Sequence, residues 1–313
     1  MSLQDWIRET RDNVQTYGLS RGSAIAAYEF WQGALIRLGR DVWNYGTPVY
    51  ERDWDVLILL DACRVDLMRE VADGGSYPFL GDIESFPSAA SMSSEWMEKN
   101  FADEYDAEVR DTAYVTGNPF SRELDGDRFA RFDEVWRYGW DDDFGGIPPR
   151  PVTDRAIAAG RAGDHDRLVV HYMQPHVPFR SGEFETGHTF DDIGSPDDHE
   201  KFVWHKLRDG EVEFDAVWEA YRDNLEWVLD DVALLLENLD ADSVVISSDH
   251  ANAMGEWWCW EHPPYVPVPA VKNVPWVETS GADERSYEPT LEPAEEQLND
   301  DEVSDRLEAL GYK

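Results

Sequence analysis

Short apolar runs alternate with amphipathic stretches along this chain. Asp55 to Leu60 (DVLILL), Leu168 to Val170 and Val244 to Ile246 carry almost no polar face, the pattern of strands buried on both sides of a parallel sheet. Ala113 to Thr116 reads as a further strand, ending in the turn Gly117-Asn-Pro-Phe120. Between the runs the spacing changes to three and four. Phe214, Val217, Tyr221, Leu225, Val228, Val232, Leu235 and Leu239 predict a long amphipathic helix over 211–239. That helix feeds the run at Val244, and a strand reached through a helical crossover lies parallel to its neighbour. Arg64 to Val71 and Val152 to Arg161 read as shorter helices. An α/β fold follows: a three-layer sandwich with a mostly parallel central sheet flanked by helices.

The remaining segments fill in around this frame. Residues 4–43 predict two helices broken near Gly18 to Gly22, the second carrying Ile25, Tyr28, Leu35, Leu38 and Val42 on one face packed against the main domain. Ile83 to Phe86 reads as a short strand, followed by a serine-rich junction and a helix running to about Phe101. Phe129 to Pro151 reads as a variable loop with a short helix. Residues 180–205, with His188, His199 and His205, form a polar excursion expected to lie over the site. Val266 to Val277, interrupted by prolines, predicts an edge strand. An acidic strap over 281–300 and a short helix at Glu302 to Leu310 close the chain. The expected organisation is an N-terminal helical extension (1–45), a catalytic domain (46–280) and a C-terminal strap with its helix (281–313).

Charge narrows the partners. There are 66 Asp and Glu against 27 Lys and Arg in 313 residues, a formal net charge of −39. Such a surface repels nucleic acid and anionic membranes. The acid is spread through the whole chain, which suits a hydrated surface in high salt, so a salt-rich cytosol is the expected location. Cys63 and Cys259 are the only cysteines, too few for a disulfide framework. The polar start MSLQDWIRETRDN lacks the apolar core of a signal peptide, and no run of eighteen uninterrupted apolar residues predicts a membrane span.

Chemistry-bearing residues stand at the ends of the apolar runs, where ligands gather in open α/β sheets. Asp61 follows the first run. Asp249-His250 follows the strand at Val244 and offers carboxylate and imidazole to a metal. His171 and His176 follow the strand at Leu168, on an ordered loop where neutral imidazoles can bind a metal or serve a leaving group. Ser88, Ser91, Ser93 and Ser94 sit at a helix start, where backbone N–H groups and the helix dipole favour an alkoxide and a bound phosphate or sulfate. Read singly, Asp61 serves equally as a helix N-cap, the serines as caps and each histidine as a structural residue.

Taken in order, DVLILLDACR, VVHYMQPHVPF and VVISSDHANAMGE followed by His262 resemble the alkaline phosphatase and sulfatase superfamily over most of residues 54–313. The closing DEVSDRLEALGY looks like the end of sulfatase-like chains. The resemblance implies an alkaline phosphatase-like sandwich in which Asp61, Asp249 and His250 ligate a divalent metal together with the nucleophile's oxygen. The segment AASMSSEWM is similar to the nucleophile region of lipoteichoic acid synthase and phosphoethanolamine transferases, where a hydroxyl residue lies four positions before a Glu-aromatic pair. That spacing selects Ser91, with Ser93 as runner-up. By the same resemblance His176 contacts substrate, and His171 and His262 assist the leaving group or hold a second metal.

Sulfatases build formylglycine from a Cys or Ser in a Cys-x-Pro-x-Arg context, which Cys63, followed by Arg-Val-Asp-Leu, does not match. They also pair aspartates on the first strand, where this chain has Leu60-Asp61, and the family's Asp-His-Gly stands here as Asp249-His250-Ala251. The implied activity is metal-dependent hydrolysis or transfer of phosphate mono- or diesters, small or lipid-linked, with Mn²⁺ or Zn²⁺ favoured over Ca²⁺ or Mg²⁺. Sulfate ester hydrolysis is the alternative, and a non-catalytic binding protein of the same fold the third.

Overall fold

The structure is a computed structural model and describes residues 3–181 and 203–293. In chain order the helices are α1 (Leu3–Asp41), α2 (Val65–Asp73), α3 (Ser93–Asn100), α4 (Asp106–Arg110), α5 (Pro149–Ala162), α6 (Val203–Asp209), α7 (Phe214–Leu236) and α8 (Pro269–Lys272). The strands are β1 (Val56–Leu60), β2 (Glu84–Pro87), β3 (Thr112–Thr116), β4 (Arg131–Glu134), β5 (Arg167–Tyr172), β6 (Ala241–Ser247), β7 (Ala253–Met254), β8 (Trp260–Glu261) and β9 (Asn273–Gly281). Seven strands form one sheet in the order β2-β9-β6-β1-β5-β3-β4, and β7 pairs with β8 in a separate hairpin. The six pairings of the sheet are parallel from β6 through β4, and antiparallel where β9 meets β6 and β2.

Alternation along β1 explains the three layers. Val56, Ile58 and Leu60 join a core built with α2, α5 and α7, while Leu57 and Leu59 face a second core with Trp96, Phe101, Tyr114 and Val245. All five β1 residues are buried. Each such side chain contributes roughly 1.5–3 kcal/mol through burial. A strand whose two faces both meet apolar layers has no solvent side, which is why its sequence shows no polar alternation.

The register sets the level of the site. Leu59 is opposite both His171 and Ser247, and His171 is opposite Thr116. The C-terminal ends of β1, β5, β6 and β3 therefore finish side by side. Residues just beyond them are brought together whatever their separation in sequence.

Three sequence expectations change. The proline-interrupted strand near the C-terminus is β9, and it lies between β2 and β6 instead of at the edge, because β2 adds outside it. Pro275 is tolerated there opposite Ser85, and its carbonyl accepts from Ser247 Oγ at 2.7 Å. The stretch read as a variable loop after Phe129 contains β4, the opposite edge strand, whose partly exposed charged sequence Arg-Phe-Asp-Glu hides the strand pattern. On α1 only part of the expected stripe is core: Leu35 is buried, whereas Leu38 and Val42 are exposed.

The expected break in α1 falls at Gly18, which has φ 82° and ψ 167°, a conformation open to glycine. Beyond it Leu35 packs with Cys259, Val266 and Val268, and Trp31 Nε1 donates to the Trp257 carbonyl at 2.8 Å. At Gly39 the helix comes so close that a Cβ would lie 1.7 Å from the Tyr265 carbonyl oxygen. Helix α1 is thus fitted to the segment that carries His262. The expected helix at Glu302 to Leu310, and His188 and His199 of the polar excursion, lie outside the described residues. After β9 the chain runs on to residue 293 without regular structure, held where Asp154 accepts from the Thr290 and Leu291 amides at 2.8 and 2.9 Å.

Candidate active site

Asp61, Asp249 and His250 converge at the strand ends. They are buried, and one ligand atom from each lies within 4.8 Å of the others. The turn after β1 is held by Ala62, a non-glycine residue at φ 61°. Such strain persists only where neighbours impose it. Here the Ala62 amide donates to Asp249 Oδ1 at 3.2 Å and the Ala62 carbonyl accepts from the Tyr221 hydroxyl. The His250 amide donates to the same Asp249 oxygen at 2.8 Å. His250 Nδ1 faces the Ala251 carbonyl at 2.9 Å, and since a carbonyl only accepts, Nδ1 carries a proton and Nε2 faces the carboxylates. That nitrogen is 3.5 Å from Asp61 Oδ1 and 3.5 Å from Asp249 Oδ2.

The serine that meets this group is Ser93, the first residue of α3. Its Oγ lies 3.4 Å from Asp61 Oδ2 and 3.3 Å from His250 Nε2. Ser91, selected by motif spacing, points away. Its Oγ lies 2.8 Å from the Pro263 carbonyl and 3.1 Å from Glu95 Oε2, and it accepts from the Val266 amide at 3.0 Å. The spacing fails because Met92, the N-cap of α3, is extended, and the helix begins one residue later. No side chain caps α3, so its first-turn N–H groups are left for an anion beside Ser93.

The histidines divide into two roles. His171 is placed between Asp249 and Tyr114: it is fully buried, its Nε2 faces Asp249 Oδ2 at 3.4 Å and its Nδ1 meets the Tyr114 hydroxyl at 2.9 Å. His176 and His262 stand together beside His250. Their Nε2 atoms are 2.9 Å apart, and the His262 ring lies 4.4 Å from that of His250. His176 Nδ1 faces the Val177 carbonyl at 2.8 Å, so His176 Nε2 is an acceptor and the proton between the two rings belongs to His262. His262 is therefore beside the Asp61–Asp249–His250 group and bonded to His176, not within the group. Burial pushes His176 down to about 4 and His262 well below the usual imidazole range, so both are neutral near pH 7.

Asn118, which the sequence marks only as part of a turn, joins Asp61. Its Nδ2 donates to Asp61 Oδ2 at 2.8 Å from the turn after β3, the same strand-end position that singled out Asp61. Tyr114, on β3 itself, carries no sequence signal beyond a buried strand.

The carboxylates differ. Burial first, then Asp249, pushes Asp61 well above the usual carboxylate range, while Asn118 and Ser93 only partly offset this. Burial also opposes ionisation of Asp249, but His250 and then His171 outweigh it and hold its carboxyl well below that range. Asp61 Oδ1 and Asp249 Oδ2 have no hydrogen-bond partner. Buried carboxylate oxygens left together this way cost several kcal/mol unless a cation or proton joins them. Two carboxylates, one imidazole nitrogen and a neighbouring hydroxyl fit a divalent cation.

Lys272 is fully buried, and its Nζ donates to Asn44 Oδ1 at 2.7 Å and to the Ala89 carbonyl at 2.8 Å. Burial, helped by Lys99, lowers its pKa from 10.5 to about 7, against the pull of Glu95. Between these values the unfolded chain binds more protons than the folded one, so stability rises with pH across that window, with a slope of about 1 kcal/mol per pH unit. Urea unfolding should show the wild type gaining stability from neutral to mildly alkaline pH and Lys272→Met lacking that gain. Parallel slopes in the two proteins would refute it.

No family model matches the chain, and no curated protein is similar to it. Solved structures are similar, phosphoethanolamine transferases and sulfatases among them. The soluble domain of lipooligosaccharide phosphoethanolamine transferase A from Neisseria meningitidis is 13% identical over 74% of this chain and 77% of that one, with a TM-score of 0.47. The integral membrane form of that transferase is 14% identical at the same TM-score over 91% of this chain, which spans only 59% of its length. A 2-O GAG sulfatase is 10% identical over 77% of this chain and 66% of that one, with a TM-score of 0.43. Among the described residues, no helix of this chain is long and apolar enough to cross a membrane.

Proposed function

We propose that this chain is a divalent-metal-dependent phosphoester hydrolase or phosphotransferase with Ser93 as nucleophile. The observation that carries the reading is the Ser93 hydroxyl, 3.4 Å from Asp61 and 3.3 Å from His250, at the uncapped start of α3. Asp61, Asp249 and His250 would hold the metal, and their mixed oxygen and nitrogen set favours Mn²⁺ or Zn²⁺ over Ca²⁺, which takes 6–8 oxygens. Bound there, the cation lowers the pKa of the serine hydroxyl and offsets charge on the phosphoryl oxygens.

The chain's own groups supply the rest. Asn118 orients Asp61, and His171 backs Asp249. Ser93 Oγ bonds to phosphorus as the ester oxygen departs with the proton that the serine gives up, and the α3 N–H groups face the phosphoryl oxygens. A water or acceptor alcohol then takes the phosphoryl group from Ser93. The neutral His176 and His262 pair accepts that nucleophile's proton, which is returned to the serine side as the Ser–O–P bond breaks. Ser93 is followed by Ser-Glu-Trp-Met, which lacks the Pro and Arg of a formylglycine context, and this favours phosphate over sulfate esters. The dispersed acidic surface suits a high-salt milieu.

Paired assays at molar salt with added Mn²⁺ or Zn²⁺ test the reading. Turnover of an aryl phosphodiester or phosphomonoester, lost on chelation, is expected. Turnover of the aryl sulfate alone would replace it with the sulfatase reading, and metal binding without any turnover would favour a binding protein.

A further inference from the structure

Glu95 takes no part in the chemistry above, yet its carboxylate is buried, 2% exposed, and faces five donors. Oε2 accepts from the Ser91 amide at 3.0 Å and the Tyr265 amide at 2.9 Å, with the Ser91 hydroxyl at 3.1 Å. Oε1 accepts from Asn44 Nδ2 at 2.8 Å and from Lys99 Nζ. The Ser91 hydroxyl adds its own contacts to Pro263 and Val266. Farther along α3, Glu98 accepts from the Tyr265 hydroxyl at 2.9 Å.

Two chain segments meet on Oε2 of this carboxylate, while Asn44 is held on Oε1. One leads within two residues to Ser93. The other begins one residue after His262 and runs from Pro263 to Val266. These segments are 170 residues apart along the chain at the Glu95–Tyr265 contact. Besides metal ligands, the distance between the nucleophile and the histidine pair is what an in-line transfer depends on, and misplacement by about 1 Å can cost on the order of 100-fold in rate.

We propose that Glu95 is a positioning residue that ties the start of α3 to the His262 segment and so fixes the gap between Ser93 and the His176–His262 pair. The proposal rests on the reading of Ser93 as nucleophile. A Gln at this position keeps the size but turns an NH₂ toward donors that both carboxylate oxygens now serve, loosening one segment from the other.

Kinetics of Glu95→Gln, His262→Ala and the double variant, on an aryl phosphodiester with Mn²⁺, read the linkage. Glu95→Gln should lower kcat on the order of 10–100-fold with little change in KM. In the His262→Ala background the same substitution should cost less than about 3-fold, because the residue it positions is gone. Equal losses in both backgrounds, or an unchanged kcat, would overturn the proposal. If Glu95→Gln does not fold, Ser91→Ala removes part of the same tie and is read in the same cycle. Amide hydrogen exchange gives a readout without turnover: Tyr265 and Val266 should exchange faster in the variant while β1 and α7 stay protected, and unchanged exchange there would also overturn it. A wild type without turnover but with this exchange pattern would remove the functional reading and leave the tie standing.

Discussion

Ser93→Ala should abolish phosphoester turnover, on the order of 10⁴-fold or more in kcat, as loss of a nucleophile does in enzymes that form a covalent intermediate. Ser91→Ala should cost no more than about 10-fold, through loosened positioning. The two serines are two residues apart and equally buried, so burial and composition do not separate them. Partners do. Ser93 meets Asp61 and His250, whereas Ser91 is spent on Glu95, Pro263 and Val266. Stability should move the opposite way. Ser91→Ala leaves the Val266 amide without its acceptor and is expected to cost about 1–3 kcal/mol, the penalty of an unsatisfied buried donor. Ser93 Oγ makes only long contacts, at 3.3 and 3.4 Å, and its loss should barely change the melting temperature. Full activity in Ser93→Ala, or an inactive but stable Ser91→Ala, would return the nucleophile to the position that motif spacing selected.

Asp61→Asn should separate metal binding from stability. The native carboxyl is fully buried beside Asp249, and burial and that neighbour both disfavour its ionised form. Asn keeps an oxygen able to accept from Asn118 but carries no charge. The metal-free variant should therefore be at least as stable as the metal-free wild type. With metal the order reverses. Mn²⁺ or Zn²⁺ at a hundred times its Kd should stabilise the wild type by about 2.7 kcal/mol and leave Asp61→Asn unmoved. Thermal unfolding with chelator and with added metal reads both halves. A variant that is less stable than wild type without metal, or that gains as much from metal, would show that Asp61 is not a ligand held at an electrostatic cost.

Much of the frame was legible because it follows from period and termini. Strands buried on both faces have to be continuous apolar runs, and β1, β5 and β6 were; α7 declared itself by its spacing. Parallel strands also put their C-terminal ends at one level, so Asp61, His171 and Asp249 could be placed near one another before their distances were known. What could not be read was orientation within a turn. Ser91 and Ser93 differ by where a helix begins, and that depends on the extended backbone of Met92 and on partners from residues 263–266, remote in sequence. His171 similarly looked equivalent to His176 until Tyr114 and Asp249 were seen on either side of it. The charged edge strand β4 hid because edge strands need no apolar pattern. Asn118 stands just past a strand end like Asp61, but Gly117-Asn-Pro carries a turn signal strong enough to account for the residue by itself.

Anomalous diffraction from crystals of the wild-type protein grown with Mn²⁺ tests the central claim most directly. The account predicts a manganese peak bounded by Asp61, Asp249 and His250, with Ser93 Oγ as its nearest serine oxygen. A well-ordered crystal with no manganese between these three side chains, or with Ser91 turned toward it in place of Ser93, would contradict it.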